Sequence, residues 1–295
     1  MSEIIYLNGQ LVPRYEARLS PFDHGFLYGY GLFETMRAYD GHIFRLDRHL
    51  ARLRGSARSL GLADNVIASL NATTGKQSLE SACLQILEAN KLKDARLRLT
   101  ITAGEGDMTP DPDTCHRPTV LVTVQNLVPL PAEKYESGFK AALSSLRRNS
   151  HSPLSRLKST CYMENILARM EARGAGCDEA ILLNEQGYLA EGSTSNIFLV
   201  SKGALITPSP ESGVLPGVTR EAVLEIARAS NIKTLERQVE LKELVEAEEA
   251  FITNSILELM PLTWFGGRPI GTGKPGQLTR VLLAAYRELI EEALQ

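Results

Sequence analysis

The sequence has little that would indicate a metal site or a disulfide framework. Its four cysteines, Cys83, Cys115, Cys161 and Cys177, are scattered through a chain of 295 residues and form no CxxC pair. No histidine completes a spacing that is typical of zinc ligands. We therefore expect reduced, mostly buried thiols and no bound metal.

Long apolar runs and blocks of one charge are also missing. The formal net charge is −3, and basic residues cluster only in short pairs such as Arg147 and Arg148. No segment approaches the roughly 20 apolar residues of a membrane span. The start, MSEIIYLNG, has no basic stretch that leads into an apolar run. We expect a cytoplasmic protein that binds small molecules and neither nucleic acid nor membranes.

The length and composition suit a soluble enzyme of two modest domains, since 43% of the residues are hydrophobic. The segment NLVPLPAEKYESG has two prolines close together and little periodicity, as linkers do. We predict an N-terminal α/β domain over 1–125, a linker over 126–135 with the boundary near Pro131, and a C-terminal domain over 136–295.

Local patterns assign several elements. Asn8-Gly9 and Asp40-Gly41 lie between apolar runs and predict tight hairpins. Apolar residues spaced three or four apart predict a helix from Leu46 to Leu60 and another in SLESACLQILEANKL. Together with the strands RLRLTITAG and PTVLVTVQN, they predict a sheet with helices on one side. Later segments predict the hairpins AILLNEQGYLAEG and NIFLVSKGALITP and the strand AFITNS. They also predict three helices, VTREAVLEIARAS, LKELVEAEE and LTRVLLAAYRELIEEAL.

Lys158 and Glu191 stand in the stretch SPLSRLKSTCYMENILARMEARGAGCDEAILLNEQGYLAEGSTSNIFLV. With the blocks SPFDHGFLYGYGLFETMR, HLARL and GVLPGVTREAVLEIA, this stretch resembles the class IV aminotransferases, the fold type IV pyridoxal phosphate enzymes. The family includes branched-chain aminotransferases, D-amino-acid aminotransferases and aminodeoxychorismate lyases. The resemblance runs from about Ile4 to the C-terminal helix. It implies an α+β fold with an N-terminal two-layer sheet-and-helix domain and a C-terminal pseudo-barrel domain.

The resemblance implies pyridoxal 5'-phosphate as cofactor, with Lys158 as its Schiff-base lysine and catalytic base. A lysine serves in this way only where burial or nearby cations make a neutral amine available. Glu191 would receive the hydrogen bond from the pyridine nitrogen, which keeps the ring an electron sink. Asn196, five residues later, completes the motif, and Tyr162 matches a tyrosine near the phenolic oxygen of the cofactor.

The phosphate site has a physical signature as well. Gly217 precedes a predicted helix, so Val218 and Thr219 fall in a first turn whose free N–H groups and dipole favour an anion. Thr219 is alternatively an N-cap. By resemblance, Arg52 would pair with the phosphate through its guanidinium, and Ser255 would offer it a hydroxyl, although a turn hydroxyl is a nearly equal interpretation.

The substrate side is less specific. By resemblance, Tyr28, Phe33, Thr35 and Arg37 would line it. The strand RLRLTITAG carries neither the Tyr-x-Arg-Pro of branched-chain enzymes nor the arginine and histidine of D-amino-acid enzymes that bind a substrate carboxylate. Three other arginines are therefore our candidates for binding that carboxylate, namely Arg96, Arg98 and Arg156.

The motifs leave more than one reaction open. Transamination between an amino acid, of the branched-chain or hydrophobic type, and a 2-oxo acid is the preferred function. Elimination of pyruvate from aminodeoxychorismate is the close alternative, since SSLRRN, RLKS and TNSILELMPLT resemble the lyases. A D-amino-acid transaminase and a non-catalytic paralogue that binds the cofactor are further alternatives. The family resemblance also implies a homodimer.

Overall fold

The computed structural model describes residues 3–62 and 78–294. The chain forms two compact units. The first contains the chain up to Val128 together with Leu157–Cys161, and the second contains Pro129–Arg156 and Tyr162–Ala293. The change between Val128 and Pro129 falls inside the predicted linker. Our assignment of 1–125 and 136–295 to separate domains remains a prediction, and it did not anticipate that Leu157–Cys161 groups with the first unit.

The first unit is built on a six-stranded sheet with the strand order β2-β1-β6-β5-β3-β4. Its elements in chain order are β1 (Ile4–Leu7), β2 (Gln10–Pro13), α1 (His24–Leu27), β3 (Gly31–Tyr39), β4 (His42–Ile43), α2 (Leu46–Ser59), α3 (Leu79–Asn90), β5 (Ala95–Thr102) and β6 (Thr119–Asn126).

Both predicted hairpins of this unit are confirmed. Asn8 and Gly9 join β1 to β2 with φ angles of 48° and 92°. Asp40 and Gly41 join β3 to β4 with φ angles of 45° and 88°. Positive φ at both central residues matches the twist of the flanking strands, which is why these two sequence pairs predict the turn.

One face of this sheet carries the core. Alternate residues of β3 and β5, such as Leu32, Met36 and Leu97, are buried in one apolar cluster. Helices α2 and α3 contribute to the same cluster, with residues that include Leu53 and Ile86. The predicted helices on one side of a sheet are thus confirmed. Each fully buried leucine or isoleucine side chain contributes about 1.5–3 kcal/mol, so this cluster fixes the register of the strands.

The Lys158 segment extends this sheet. Leu32 and Ser159 form an antiparallel bridge at the start of β3. The N–H of Phe33 donates to the Lys158 carbonyl, and the N–H of Thr160 donates to the Gly31 carbonyl, each at 2.9 Å. The lysine therefore lies on extended backbone beside the first residues of β3.

The second unit is built on a nine-stranded sheet, with the order β12-β11-β10-β13-β14-β7-β8-β9 and with β15 paired to β14. Its elements are α4 (Ala132–Ser137), β7 (Phe139–Arg148), α5 (Met163–Gly174), β8 (Glu179–Asn184), β9 (Leu189–Gly192), β10 (Asn196–Ser201), β11 (Ala204–Pro208), α6 (Val218–Ala229), β12 (Thr234–Arg237), α7 (Leu241–Val245), β13 (Glu249–Asn254), β14 (Glu258–Phe265), β15 (Arg268–Pro269) and α8 (Gln277–Ala293).

Its central strands are buried on both faces. Every residue of β8 is buried, as is every residue of β10 except the last. One face contributes Ile197 and Ile252 to a large apolar core, whereas Phe198 and Phe251 stack at 4.9 Å between ring centroids. Strands covered on both sides read as continuous apolar runs, which explains why the hairpins here were predictable. The sequence patterns did not assign β7, α5 or β14, and α4 occupies part of the predicted linker.

Neither a membrane span nor a metal cluster occurs within residues 3–62 and 78–294. No helix there combines the length and the apolar character needed to cross a bilayer. No group of three or more histidine, cysteine or acidic side chains in the same ranges has the arrangement of a metal site. The four cysteines are free thiols, and Cys83 and Cys115 are buried.

Candidate active site

Lys158 lies against an aromatic ring that is shared with a second cation. Its Nζ is 4.5 Å from the centroid of the Phe33 ring, and the guanidinium carbon of Arg98 is 3.8 Å from the same centroid. Both distances are within the range of cation–π attraction. Arg98 stands opposite Thr35 in the β3–β5 register. The structure therefore brings together four of the predicted residues on the first unit.

Two further predicted residues lie next along the same strands. Arg37 stands opposite Arg96, so both side chains belong to the face that carries Phe33 and Thr35. Arg37 is buried with its guanidinium 4.3 Å from the Tyr39 ring centroid, whereas Arg96 is exposed. This face of the sheet thus concentrates three arginines.

Tyr28 has a different environment. Its hydroxyl donates to the Met108 carbonyl, and its ring packs edge-on against His24 at 4.9 Å. Nε2 of His24 lies 2.7 Å from the Asp107 carbonyl oxygen. Both side chains therefore anchor the segment that follows β5.

Arg52 is committed to a buried carboxylate. Its Nε donates to Glu34 at 2.8 Å, and its Nη2 donates to the other oxygen of the same carboxylate. Nδ1 of His49, one turn earlier on α2, is 2.7 Å from Glu34. Glu34 and His49 are almost inaccessible to solvent. The sequence analysis missed Glu34 and His49, although a carboxylate inside the apolar run GLFETM was a usable signal.

The charges of this cluster follow from burial and pairing. Burial alone would raise the pKa of Glu34, but attraction by Arg52 and hydrogen bonds from His49 and Arg52 outweigh it and lower the pKa from its ordinary 4.5 to about 2. Burial lowers the pKa of His49 despite the neighbouring carboxylate. The cluster is therefore an ionised Glu34–Arg52 pair with a neutral imidazole beside it.

The cluster lies on the opposite face of β3 from the predicted substrate residues. Successive side chains of a strand point to opposite faces, so Glu34 points away from the face of Phe33 and Thr35. Its partner Arg52 is on that same helix-covered side. The predicted contact of Arg52 with a phosphate remains a prediction.

The second unit holds Glu191 in a set of donors. Nη2 of Arg148 is 2.9 Å from Oε1 of Glu191. The Leu215 N–H donates to Oε2 at 2.9 Å, and Nδ2 of Asn196 is 3.4 Å from the same oxygen. Arg148 and the Leu215 amide were missed by the sequence analysis. The sequence signals for Arg148 were its membership of a basic pair and its place in the block SSLRRN, which resembles the lyases.

Asn196 joins this carboxylate to the start of α6. Its Nδ2 also donates to the Leu215 carbonyl at 2.9 Å. Gly217 is the N-cap of α6 and makes no side-chain cap hydrogen bond. A Cβ on Gly217 would lie 2.0 Å from Oδ1 of Asn196. The structure thus brings the predicted ring-nitrogen partner and the predicted phosphate site into one cluster.

The first turn of α6 is buried and has no side-chain cap, which are properties of an anion site. Val218 and Thr219 are buried, and Thr219 lies within the turn. The alternative in which Thr219 is the N-cap is wrong, because Gly217 holds that position. A buried helix start without a side-chain cap leaves N–H donors for an outside acceptor.

Tyr162 and Ser255 border the turn 193–195 that separates Glu191 from Asn196. The Tyr162 hydroxyl is 3.5 Å from the Ser193 carbonyl, and Nδ2 of Asn165 donates to the same carbonyl at 2.7 Å. Ser255 follows Asn254, whose Nδ2 donates to the Thr194 carbonyl at 3.2 Å. Tyr162 is therefore tied to the Glu191 segment by its own hydroxyl, and Ser255 only through its neighbour Asn254.

Glu179 stabilises the same turn. This buried carboxylate accepts hydrogen bonds from the hydroxyls of Ser193 and Ser195.

Arg156 donates to the Pro210 carbonyl at 3.2 Å and to the Ser150 carbonyl at 3.3 Å. Arg156 braces two backbone segments of the second unit, and its predicted contact with a substrate remains a prediction.

Comparisons with known proteins agree with this chemistry. The sequence profile of the family described as Amino-transferase class IV matches residues 31–264. A Methanocaldococcus jannaschii protein, provisionally named a branched-chain-amino-acid aminotransferase, is 37% identical over 286 residues, which are 97% of this chain and 96% of that protein. An aminodeoxychorismate lyase of Bacillus subtilis is 37% identical over 295 residues, 99% of this chain and 96% of the lyase.

A solved structure extends the likeness to the whole fold. The T.th. branched-chain amino acid aminotransferase, solved with pyridoxamine 5'-phosphate, superposes with a TM-score of 0.89 at 30% identity, over 98% of this chain and 94% of that chain. The fold and the site residues together define a pyridoxal-phosphate enzyme. The chain belongs to the class IV aminotransferase family. The predicted family and α+β fold class are confirmed, and so is the predicted cofactor at the level of the family.

The residues present fit this cofactor. Glu191 can accept a hydrogen bond from a protonated ring nitrogen, because the guanidinium of Arg148 stabilises the ionised carboxylate. The first turn of α6 has no side-chain cap, and the space next to Gly217 has no room for a Cβ. These features suit a phosphate at the helix start and a protonated ring at the carboxylate.

Glu34→Gln is expected to lower the free energy of unfolding by roughly 3–5 kcal/mol at neutral pH, because it leaves the Arg52 charge without its buried partner. The depressed pKa of Glu34 contributes stability above pH 4.5 that is lost as the pH falls through about 2. The difference between wild type and variant should therefore shrink over that window. Urea unfolding at a series of pH values measures it. Glu88→Gln, at an exposed position of α3, is the matched control. A difference independent of pH would contradict this account.

Gly217→Ala is expected to weaken binding of pyridoxal phosphate by roughly 5- to 30-fold, which corresponds to about 1–2 kcal/mol of anion stabilisation at a helix start. The new Cβ would displace Asn196 or the first turn of α6. Equilibrium dialysis of the cofactor against the apoenzyme measures the affinity. Gly174→Ala, where a Cβ meets no atom within 4 Å, serves as the control. Unchanged affinity of Gly217→Ala would exclude a phosphate site at this turn.

Proposed function

We propose that this protein is an aminotransferase that moves an amino group between an amino acid, of the branched-chain or hydrophobic type, and a 2-oxo acid. The observation that carries the cofactor-dependent chemistry is the Glu191 cluster, because a compensated carboxylate next to an uncapped helix start suits both ends of the cofactor. The names of the Methanocaldococcus jannaschii and T.th. relatives support the choice of substrate class.

Lys158 is the proposed covalent attachment point and general base. When bound, pyridoxal phosphate supplies an electron sink that labilises bonds at the substrate Cα. The Nζ of Lys158 then takes the Cα proton and returns it, which requires a lysine held on a fixed backbone. The hydrogen bonds between this segment and β3 supply that rigidity.

The substrate carboxylate is the proposed partner of the arginine-rich face of the first unit. Arg98 lies against the same ring as Lys158, so an anion bound there would be close to the base. A guanidinium matches a carboxylate in geometry and charge.

Elimination of pyruvate from aminodeoxychorismate is the second candidate. The Bacillus subtilis lyase is as similar to this chain as the Methanocaldococcus jannaschii protein, at 37% identity each. Both reactions need the same lysine, carboxylate and phosphate site. The choice between them therefore depends on which substrate the enzyme accepts.

The purified holoenzyme is expected to convert branched-chain amino acids and 2-oxoglutarate to glutamate, and to release little pyruvate or 4-aminobenzoate from aminodeoxychorismate. Lys158→Ala should lower the transamination rate by roughly 10²- to 10⁴-fold or more, since it removes the base. Lys274→Ala, at an exposed lysine, should retain the rate. D-amino acids are tested in parallel.

Two results would overturn these assignments. Faster turnover of aminodeoxychorismate than of any amino acid would replace transamination by the lyase reaction. Mass spectrometry after borohydride reduction should find the pyridoxyl group on Lys158. Its attachment to another residue, or to none, would refute the proposed role of Lys158.

The proposed assembly is a homodimer. Helix α5 exposes an apolar stripe at Met163, Ile166, Leu167 and Met170, which are between 43% and 65% exposed. Residues spaced by three and four lie on one side of a helix, here opposite the buried Ala168. A continuous exposed apolar surface of this kind is typical of an interface with another chain.

Ile166→Glu is expected to shift the protein toward monomers, because a charge in the stripe would be desolvated in the interface. Sedimentation velocity over a range of concentrations measures the shift. Glu164→Lys, at an exposed site about a quarter turn from the centre of the stripe, is the control and should leave the assembly intact. A wild-type protein that sediments as a monomer would refute the dimer, and a dimer unaffected by Ile166→Glu would place its interface elsewhere.

A further inference from the structure

Arg148 is a largely buried cation whose partner is the carboxylate that faces the cofactor ring in the proposed function. The side chains of Arg148 and Glu191 are 12% and 7% exposed. Nη2 of Arg148 also donates to the Ser155 carbonyl at 3.1 Å, which fixes the guanidinium from a second side. Arg148 ends β7, which pairs with β8, and β8 in turn pairs with the strand of Glu191.

We propose that Arg148 is a positioning residue that keeps the proton shared with the cofactor on the pyridine nitrogen rather than on Glu191. The inference rests on the proposed contact between Glu191 and that nitrogen. Arg148 itself would not touch the substrate or the reacting atoms.

The donors around Glu191 are of two kinds. The Leu215 N–H and the Asn196 amide are neutral and both approach Oε2. Arg148 brings a full positive charge to Oε1. Hydrogen bonds from neutral donors and from a cation both favour the ionised carboxylate, and the charged partner has the stronger effect.

The location of the shared proton depends on this charge. A buried carboxylate without a counter-charge prefers the neutral acid. Without Arg148, only the two neutral donors would stabilise the charge of Glu191, so the shared proton would shift from the pyridine nitrogen toward Glu191. A neutral ring is a weaker electron sink, so the loss would reach the reaction without altering any group that contacts the substrate.

Arginine suits this role better than another cation would. Its guanidinium stays protonated throughout the working pH range, so the bias on Glu191 does not change with pH. One nitrogen of its rigid, planar guanidinium, Nη2, donates to both Glu191 and Ser155. A lysine at 148 would retain the charge on a more flexible stem.

The test compares Arg148→Gln, Arg148→Lys and Glu191→Gln in the holoenzyme reconstituted with cofactor labelled with ¹⁵N at the pyridine nitrogen. In Arg148→Gln, the ratio of protonated Glu191 to protonated pyridine nitrogen is expected to rise by roughly 10- to 1,000-fold, because an adjacent opposite charge changes a proton-binding constant by that factor. The ¹⁵N shift of this variant should approach that of Glu191→Gln. Arg148→Lys should stay near wild type. Turnover number should fall in Arg148→Gln with little change in KM.

Arg147→Gln is the matched control. Arg147 is the exposed neighbour, and its Nη1 donates to backbone carbonyls such as that of Ser144 at 2.9 Å. Its removal should leave the ¹⁵N shift unchanged.

The outcomes separate this inference from the proposed function. A wild-type ¹⁵N shift in Arg148→Gln, with a changed shift in Glu191→Gln, overturns the role of Arg148 alone. An unchanged shift in Glu191→Gln overturns the proposed contact of Glu191. Infrared spectroscopy of the wild-type holoenzyme needs no variant of Arg148. The Glu191 band, assigned by its loss in Glu191→Gln, should be that of an ionised carboxylate, and a protonated carboxyl would overturn the inference.

Discussion

Burial of a carboxylate is unfavourable unless cations or several donors compensate it, and each unit contains a buried carboxylate that meets this requirement. Glu34 is compensated by Arg52 and His49, and Glu191 by Arg148 with two neutral donors. Each acid fastens elements that are distant in sequence. In the first unit Glu34 ties β3 to α2, and in the second Glu191 ties β9 to the loop before α6. Removing either acid would leave a cation buried without its partner.

The same compensation gives the site its stiffness. Asn196 donates to Glu191 and to the Leu215 carbonyl in the segment before α6. The turn between Glu191 and Asn196 is stabilised by a hydrogen bond from Ser195 to Glu179. In the proposed function the N–H groups at the start of α6 bind the phosphate, and the neighbouring Asn196 is already engaged with Glu191 and Leu215. Catalysis by a bound electron sink gains from groups that do not reorganise when charge develops. Polar groups that are both buried and paired meet that condition.

Much of the fold follows from local chemistry, whereas the pairing within the site does not. The Asn8-Gly9 turn was predictable because few residue pairs accept two positive φ angles, and α2 was predictable because its apolar residues share one face. Helix α5 was missed because its exposed stripe opposes a buried face that includes Ala168, which blurs the polar–apolar contrast. Lys158 and Glu191 were found by motif. Arg148 was not, because its function depends on a partner that only the folded sheet brings to it.

In the proposed function, both candidate reactions use the same residues of the second unit for the cofactor, so we infer that their specificity comes from the face of Phe33. On that face Thr35 stands opposite Arg98 and Arg37 opposite Arg96. A simple amino acid presents one carboxylate to these arginines, whereas aminodeoxychorismate presents two together with an enolpyruvyl ether. Arg37 is buried beside the Tyr39 ring, Arg98 lies against the ring that also contacts Lys158, and Arg96 is exposed. In the proposed function, Arg98 binds the single carboxylate of an amino acid next to Lys158, and for this reason we prefer transamination although the two relatives are equally identical in sequence.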